Sequence, residues 1–262
     1  MSPVPPPAAP QSPLDRPAPA PVADVRPDQE AVARPGRPLR VAFCPHPPLL
    51  LPVVAGAAAA ETAALRSACT DAVQRAVAGA PDVVLVVGDA PSGARYGPGD
   101  AGDLRGFGVD LQVPFSGPER PDGQVLPLAH TVGAWLLDEA GYRGARVGVG
   151  ADGLSAALAE AAGPVGVLVM GDGSARRTEK APGHLDAAAA PFDAGVAAAL
   201  AAGDPGALAA LDPAVGAALL AAGVPAWRAV GAALAGRRFT GTLLVDDAPF
   251  GVGYLVAAWQ EQ

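Results

Sequence analysis

The chain has 262 residues, half of them apolar but only 5% aromatic, with 18 basic against 26 acidic side chains. That length suits one large α/β domain or two small ones with a core of Ala, Val and Leu rather than rings. The acidic balance, with no Lys/Arg-rich run and no basic stripe interleaved with aromatics, sets nucleic acid aside as a partner.

Cys44 and Cys69 are the two cysteines, and neither sits in a CxxC or zinc-ligand spacing. Two cysteines make no disulfide framework, and no charged segment followed by an apolar one opens the chain, so a reducing cytoplasm is the expected compartment. The longest apolar stretch, 49–60, is broken by Pro52 and Gly56 and is too short to span a bilayer, so no membrane partner is expected.

Residues 1–38 are dominated by Pro and Ala and carry no apolar periodicity. Such a segment cannot bury enough surface to offset its ordering entropy, so it reads as a disordered, partly polyproline-like tail. Its PPP run suits a Pro-binding module or no partner at all. The ordered domain is expected over 39–262.

Residues 39–43 form a short apolar run, followed by a loop at 44–48. Helical texture follows over 57–79, with Leu65, Cys69, Ala72, Val73 and Ala76 at three- and four-residue spacing. DVVLVVGD at 82–89 is β-branched and continuous, the pattern of a strand buried on both faces. A Gly/Pro/Asp-rich loop is expected at 90–108, then a strand at 109–114 and a helix at 126–140 with Ala129, Val132, Leu136 and Leu137 on one face. His130 lies inside that helix and reads as structural.

A strand at 145–150 and a short helix at 154–162 come next, and VGVLVMGD at 165–172 repeats the earlier strand ending in Gly-Asp. Residues 191–235 read as alanine-rich helices broken at 203–205, 212–213 and 223–225, and two strands flank 246–249 as a hairpin or a loop between neighbours. This alternation predicts a mostly parallel sheet with helices on both faces, and hence a functional crevice beyond the carboxyl ends of the strands.

That rule selects three loops: CPHPP at 44–48, GDAPSGARYG at 88–97 and GDGSARRTEKAPGHLD at 171–186. If their strands are parallel neighbours, His46, Asp89, Asp172, Ser174 and His184 can converge on one rim. A histidine with carboxylates suits a divalent metal, with iron(II), manganese and zinc all chemically acceptable. The metal candidates are His46 and Asp89; the catalytic candidates are His184, Asp172 and Ser174.

Each has a plainer reading. His46 can fix a turn between prolines, each Asp can close a strand-end turn on its own backbone, and Ser174 can cap a helix. Arg176 and Arg177 suit an anionic substrate or a solvated loop. No G-x-S-x-G elbow surrounds Ser174, and no strand, G-x-G-x-x-G and helix occur in order, so neither a serine hydrolase nor a nucleotide cofactor is expected.

Taken in order, Pro45–His46, DVVLVVGD, VLVMGDGSAR at 167–176, APGHLDAAAAPFD at 181–193 and DDAPFGVGYLVA at 246–257 resemble the class III extradiol ring-cleavage dioxygenase superfamily, which includes the Memo-like proteins. The resemblance spans roughly 40–259 and implies a three-layer α/β/α sandwich with a mostly parallel central sheet. It also implies iron(II) held by two histidines and a glutamate, an acid–base histidine, and cleavage of a small aromatic substrate. His46 matches the first iron-ligand histidine. GDAPSGARYG holds no histidine where the second is expected, Ala175 stands at the acid–base position, and the glutamate has no counterpart.

Three functions follow as expectations. The first is a divergent non-heme metal-dependent oxidoreductase with a degenerate ligand set. The second is a non-catalytic ligand-binding or interaction protein on the same fold, and the third a metal-dependent hydrolase reusing the crevice. A small-molecule ligand fits the first two, and an alanine-rich surface leaves room for a homo-oligomer.

Overall fold

The computed structural model describes Met1, Pro3 and residues 38–262. The tail read as disordered, including its PPP run, lies almost wholly outside the described residues. The chain divides into Met1–Pro35 and Gly36–Gln262, and the fold is that of the second unit.

In chain order the first half holds β1 (Arg40–Cys44), α1 (Pro52–Ala55), α2 (Ala63–Val77), β2 (Val83–Val87), β3 (Arg95–Tyr96), β4 (Ala101–Asp103) and β5 (Gln112–Pro114). The second half holds α3 (Leu128–Glu139), β6 (Ala145–Val149), α4 (Leu154–Glu160), β7 (Val165–Met170) and α5 (Ala189–Ala202). It continues with α6 (Pro205–Ala209), α7 (Pro213–Ala218), α8 (Val224–Ala233), β8 (Phe239–Asp247) and β9 (Tyr254–Glu261).

Seven strands form one sheet in the order β3-β6-β2-β7-β1-β9-β8. Its centre, β6-β2-β7-β1, is parallel, and β3 and β9 run antiparallel to their inner neighbours. Since β8 is antiparallel to β9, β8 points the same way as the centre, so the sheet is mostly parallel. The hairpin expected near the C-terminus is β8–β9. No helix among the described residues is long and apolar enough to cross a membrane.

The continuous apolar composition of the central strands follows from burial on both faces. Ala42, Cys44, Val84, Val86, Leu168 and Met170 pack in one cluster with buried residues of α2 and α3. Their alternates Val41, Phe43, Leu85, Val87, Val167 and Val169 pack in a second with residues of α4, α5 and α8. Helix α2 turns Leu65, Cys69, Ala72, Val73 and Ala76 inward, the positions that the sequence periodicity marks. In the second cluster Trp259 on β9 stacks edge-on to Phe43, and its Nε1 donates to the Leu200 carbonyl at 2.7 Å.

One stretch differs from expectation. Residues 90–108 are not a bare loop, and 109–114 is not a strand of the main sheet. β3 adds to the sheet edge beside β6, while β4 and β5 pair in a separate two-stranded sheet. The buried Asp100 explains this lobe. Its carboxylate accepts from the Gly97 and Gln124 backbone N–H groups at 2.8 Å each, tying the two ends of the excursion together.

Chain order and strand order together create a reversal. The chain leaves β1 and β2 through α2 and α3, which share one cluster, and leaves β6 and β7 through α4 and α5, which share the other. Because β7 lies between β1 and β2, the loop after β7 departs to the opposite side from the loops of both its neighbours. Such a switch point opens a crevice at the carboxyl ends of the strands.

Candidate functional site

At this crevice Cys44 at the end of β1 pairs with Met170 at the end of β7, so the residues that follow emerge side by side. In Pro45–His46–Pro47–Pro48, His46 supplies the single backbone N–H, because proline has none. That N–H donates to Oδ1 of Asp172 at 2.7 Å, and His46 Nδ1 lies 3.6 Å from the same oxygen. Nδ1 is buried without a hydrogen-bond partner.

Burial raises the pKa of Asp172, opposed by the charge and the N–H of His46. Across the rim stands Tyr254, the first residue of β9. Its phenol is pushed far up, by burial first and then by the charge of Asp172.

On the other side of β7, β2 ends in Gly88–Asp89. A Cβ at Gly88 would lie 2.6 Å from the Ala129 Cβ, so glycine lets this strand end close over α3. Behind it His130 is fully buried, with Nε2 donating to the Val149 carbonyl at 3.0 Å and its ring tilted on Tyr96 at 4.8 Å. Burial lowers its pKa to about 4, partly offset by the Val149 and Val86 carbonyls and the charge of Asp89, while His46 adds to the lowering. His46, Asp89 and His130 thus sit in one electrostatic neighbourhood. Asp89 itself is exposed and lines a cavity of about 640 Å³ whose far wall is α7 and the start of α8.

The remaining candidates lie elsewhere in their own bonds. Ser174 is fully buried, its Oγ donating to the Leu219 carbonyl at 2.8 Å and accepting from Arg176 N at 3.2 Å. That hydroxyl holds the 171–186 loop against the turn after α7. His184 is exposed in a left-handed conformation, with Nδ1 2.9 Å from the Glu179 carbonyl. No hydrogen bond or ion pair links it to His46, Asp89 or Asp172. The structure therefore brings His46 and Asp172 together, leaves Asp89 exposed in the lining of the cavity, and turns Ser174 and His184 to backbone partners.

Sequence reasoning passed over Asp193. Its side chain is fully buried, accepting from Ser174 N at 2.8 Å and from Arg177 Nη1 at 2.8 Å. Burial raises its pKa, against the pull of Ser174 and Arg177. A Cβ at Gly173 would come within 2.7 Å of Asp193 Oδ1, so glycine makes room for the carboxylate. The missed signal is positional: Asp193 lies four residues after Ala189 and three, four and seven before Val196, Ala197 and Leu200, on the apolar stripe of α5. An acid on such a stripe needs a buried partner. Arg177 is that partner, and Arg176 is also tied to the fold, its Nη1 donating to the Ala218 carbonyl at 2.9 Å.

Comparison of the chain with protein-family models and with curated proteins gives no match. The site is read from its own geometry. Iron(II) of the kind the resemblance implies takes a facial set of three protein donors. The rim brings two into contact, His46 and Asp172, and among the described residues no group of three His, Cys, Asp or Glu side chains is placed to hold a metal ion. Ala175 contributes no titratable group at the acid–base position. The residues present do not fit the implied metal.

Proposed function

We propose that this chain is a small-molecule-binding protein on an extradiol dioxygenase-like α/β/α sandwich, whose crevice binds a ligand without iron-dependent ring cleavage. The observation that carries the reading is the His46–Asp172 pair at the switch point of the sheet, beside an apolar-walled cavity of about 640 Å³. Pockets of roughly 300–1,000 Å³ with a few convergent polar groups are the usual size for small ligands. Support for the three-layer arrangement comes from the two apolar clusters, each shared between alternate strand residues and helices.

The dyad favours binding over iron chemistry because Asp172 turns an oxygen to His46 rather than the two sharing a third donor. Asp89 and Arg228 are the charged groups that line the cavity, and the body of a ligand rests on the α7–α8 wall.

The test combines metal analysis with binding. Protein purified without oxygen and loaded with iron(II) is expected to retain far less than one iron per chain, at the same level in His46→Ala. A set of small planar fragments is expected to shift the NMR signals of the His46 ring and to leave those of His184 in place. Stoichiometric iron that His46→Ala abolishes would overturn the proposal in favour of the oxygenase.

A further inference from the structure

We infer that the cavity beside Asp89 takes a small zwitterion with an apolar body, its ammonium group on Asp89 and its carboxylate on Arg228. This deepens the ligand-binding reading above and rests on it.

Two charges in the cavity lining are unmatched. Asp89 and Arg228 both line the cavity of about 640 Å³, yet they form no ion pair with each other. Among the described residues, no ion pair or hydrogen bond engages the Asp89 carboxylate, and no carboxylate lies within ion-pair reach of Arg228. The arginine is half-buried, and its Nη1 donates to the Leu211 carbonyl. That bond spends one of five N–H groups and orients the guanidinium, leaving a fork suited to a carboxylate.

Between the charges the wall is apolar. Leu220, Ala221, Val224 and Pro225 line it, so a ligand body there gains by leaving water. A ligand with one charge would satisfy one end and shield the other from solvent unpaired, which is unfavourable. A ligand with both charges satisfies both ends. The pairing of opposite, separated charges across an apolar floor therefore selects a zwitterion over an amine or an acid.

Leu220 is half exposed and sits at φ 54° because it closes α7: its N–H donates to the Ala217 carbonyl and that of Ala221 to the Gly216 carbonyl. This helix end fixes a leucine in the cavity lining, where a bound apolar group would cover it.

The experiment measures binding to the full chain by calorimetry with four probes. Two are zwitterions, L-phenylalanine and 4-(aminomethyl)benzoate, whose charges are adjacent and separated respectively. The others, phenethylamine and 3-phenylpropionate, carry one charge each. At least one zwitterion is expected to bind ten-fold or more tightly than both single-charge probes. Arg228→Gln should erase its advantage over the amine, and Asp89→Asn its advantage over the acid. Asp89 is exposed and free of fold-holding bonds, so that variant reports on binding without a folding defect. Zwitterions that bind no better than the single-charge probes, or that keep their advantage in both variants, overturn the inference and leave the ligand-binding reading standing. Silence from all four probes, together with His46 ring signals that no fragment moves, overturns both.

Discussion

Replacing His130 with glutamine should change how acid weakens the fold. The fully buried imidazole has its pKa lowered from 6.5 to about 4, with burial as the largest cause. The folded chain thus refuses a proton that the unfolded chain accepts below pH 6.5. A group whose folded pKa lies below its unfolded value contributes stability above the unfolded pKa, and loses it as pH falls toward the folded one. A drop of about two and a half pH units, at about 1.36 kcal/mol each, corresponds to about 3 kcal/mol lost between pH 6.5 and 4.

Asp172 and Asp193 act in the opposite sense. Their raised pKa values mean that the folded state holds their protons more tightly, so stability from them grows as pH falls. The difference between wild type and His130→Gln isolates the histidine from both. Glutamine can keep a donor for the Val149 carbonyl while giving up the ring contact with Tyr96, so the variant should start less stable at pH 7. Urea unfolding at half-unit steps from pH 7 to 4 is the assay. The wild type should lose about 3 kcal/mol more than the variant over this range. Parallel curves would refute the reasoning, because they would mean that His130 is protonated in the folded state or solvated there.

Two further outcomes follow from buried polar and steric contacts. Arg177→Gln should destabilise by about 2–3 kcal/mol, because it strands the fully buried Asp193 carboxylate, with the low end set by the partial exposure of the arginine. Adding Asp193→Asn should recover part of that loss in the double variant, which chemical denaturation would show; additive losses would count against a coupled pair. Gly88→Ala should cost about 1–3 kcal/mol, since its Cβ would meet that of Ala129 at 2.6 Å and force the β2 end away from α3. A melting temperature equal to wild type would show that the strand end has slack.

The central strands were legible because burial on both faces forces a continuous β-branched run, as in Val83–Val87 and Val165–Met170. The rim positions of His46, Asp89 and Asp172 were legible for the same reason: each follows the end of such a run. Which strands are neighbours was not, because pairing between β1 and β7 joins residues more than a hundred positions apart. That pairing decides that His46 meets Asp172. The roles of Ser174 and His184 were likewise hidden, since the carbonyls of Leu219 and Glu179 that hold them depend on loop paths. The small β4–β5 sheet hangs on the buried Asp100, whose partners Gly97 and Gln124 carry no periodic mark. Asp193 was readable in principle, as an acid on an apolar stripe.

The proline bracket around His46 gives the site a division of labour that makes the iron test clean. The bond that anchors Asp172 comes from the His46 backbone, the one N–H between Pro45 and Pro48. Losing the imidazole leaves that bond in place, so His46→Ala removes a candidate ligand without freeing the loop after β7. Asp172 is different. Its carboxylate is the partner of a backbone donor with no neighbour to substitute, and an N–H stranded away from water costs about 1–3 kcal/mol. The carboxylate therefore has a structural reason to be present whether or not a metal or ligand visits. The ring of His46 has none so strong: its Nδ1 lacks a hydrogen bond, and its contact with Asp172 is long. A side chain at a strand end with one ring nitrogen unpartnered is kept in place by its backbone, so replacing the ring tests ligation without disturbing that anchor.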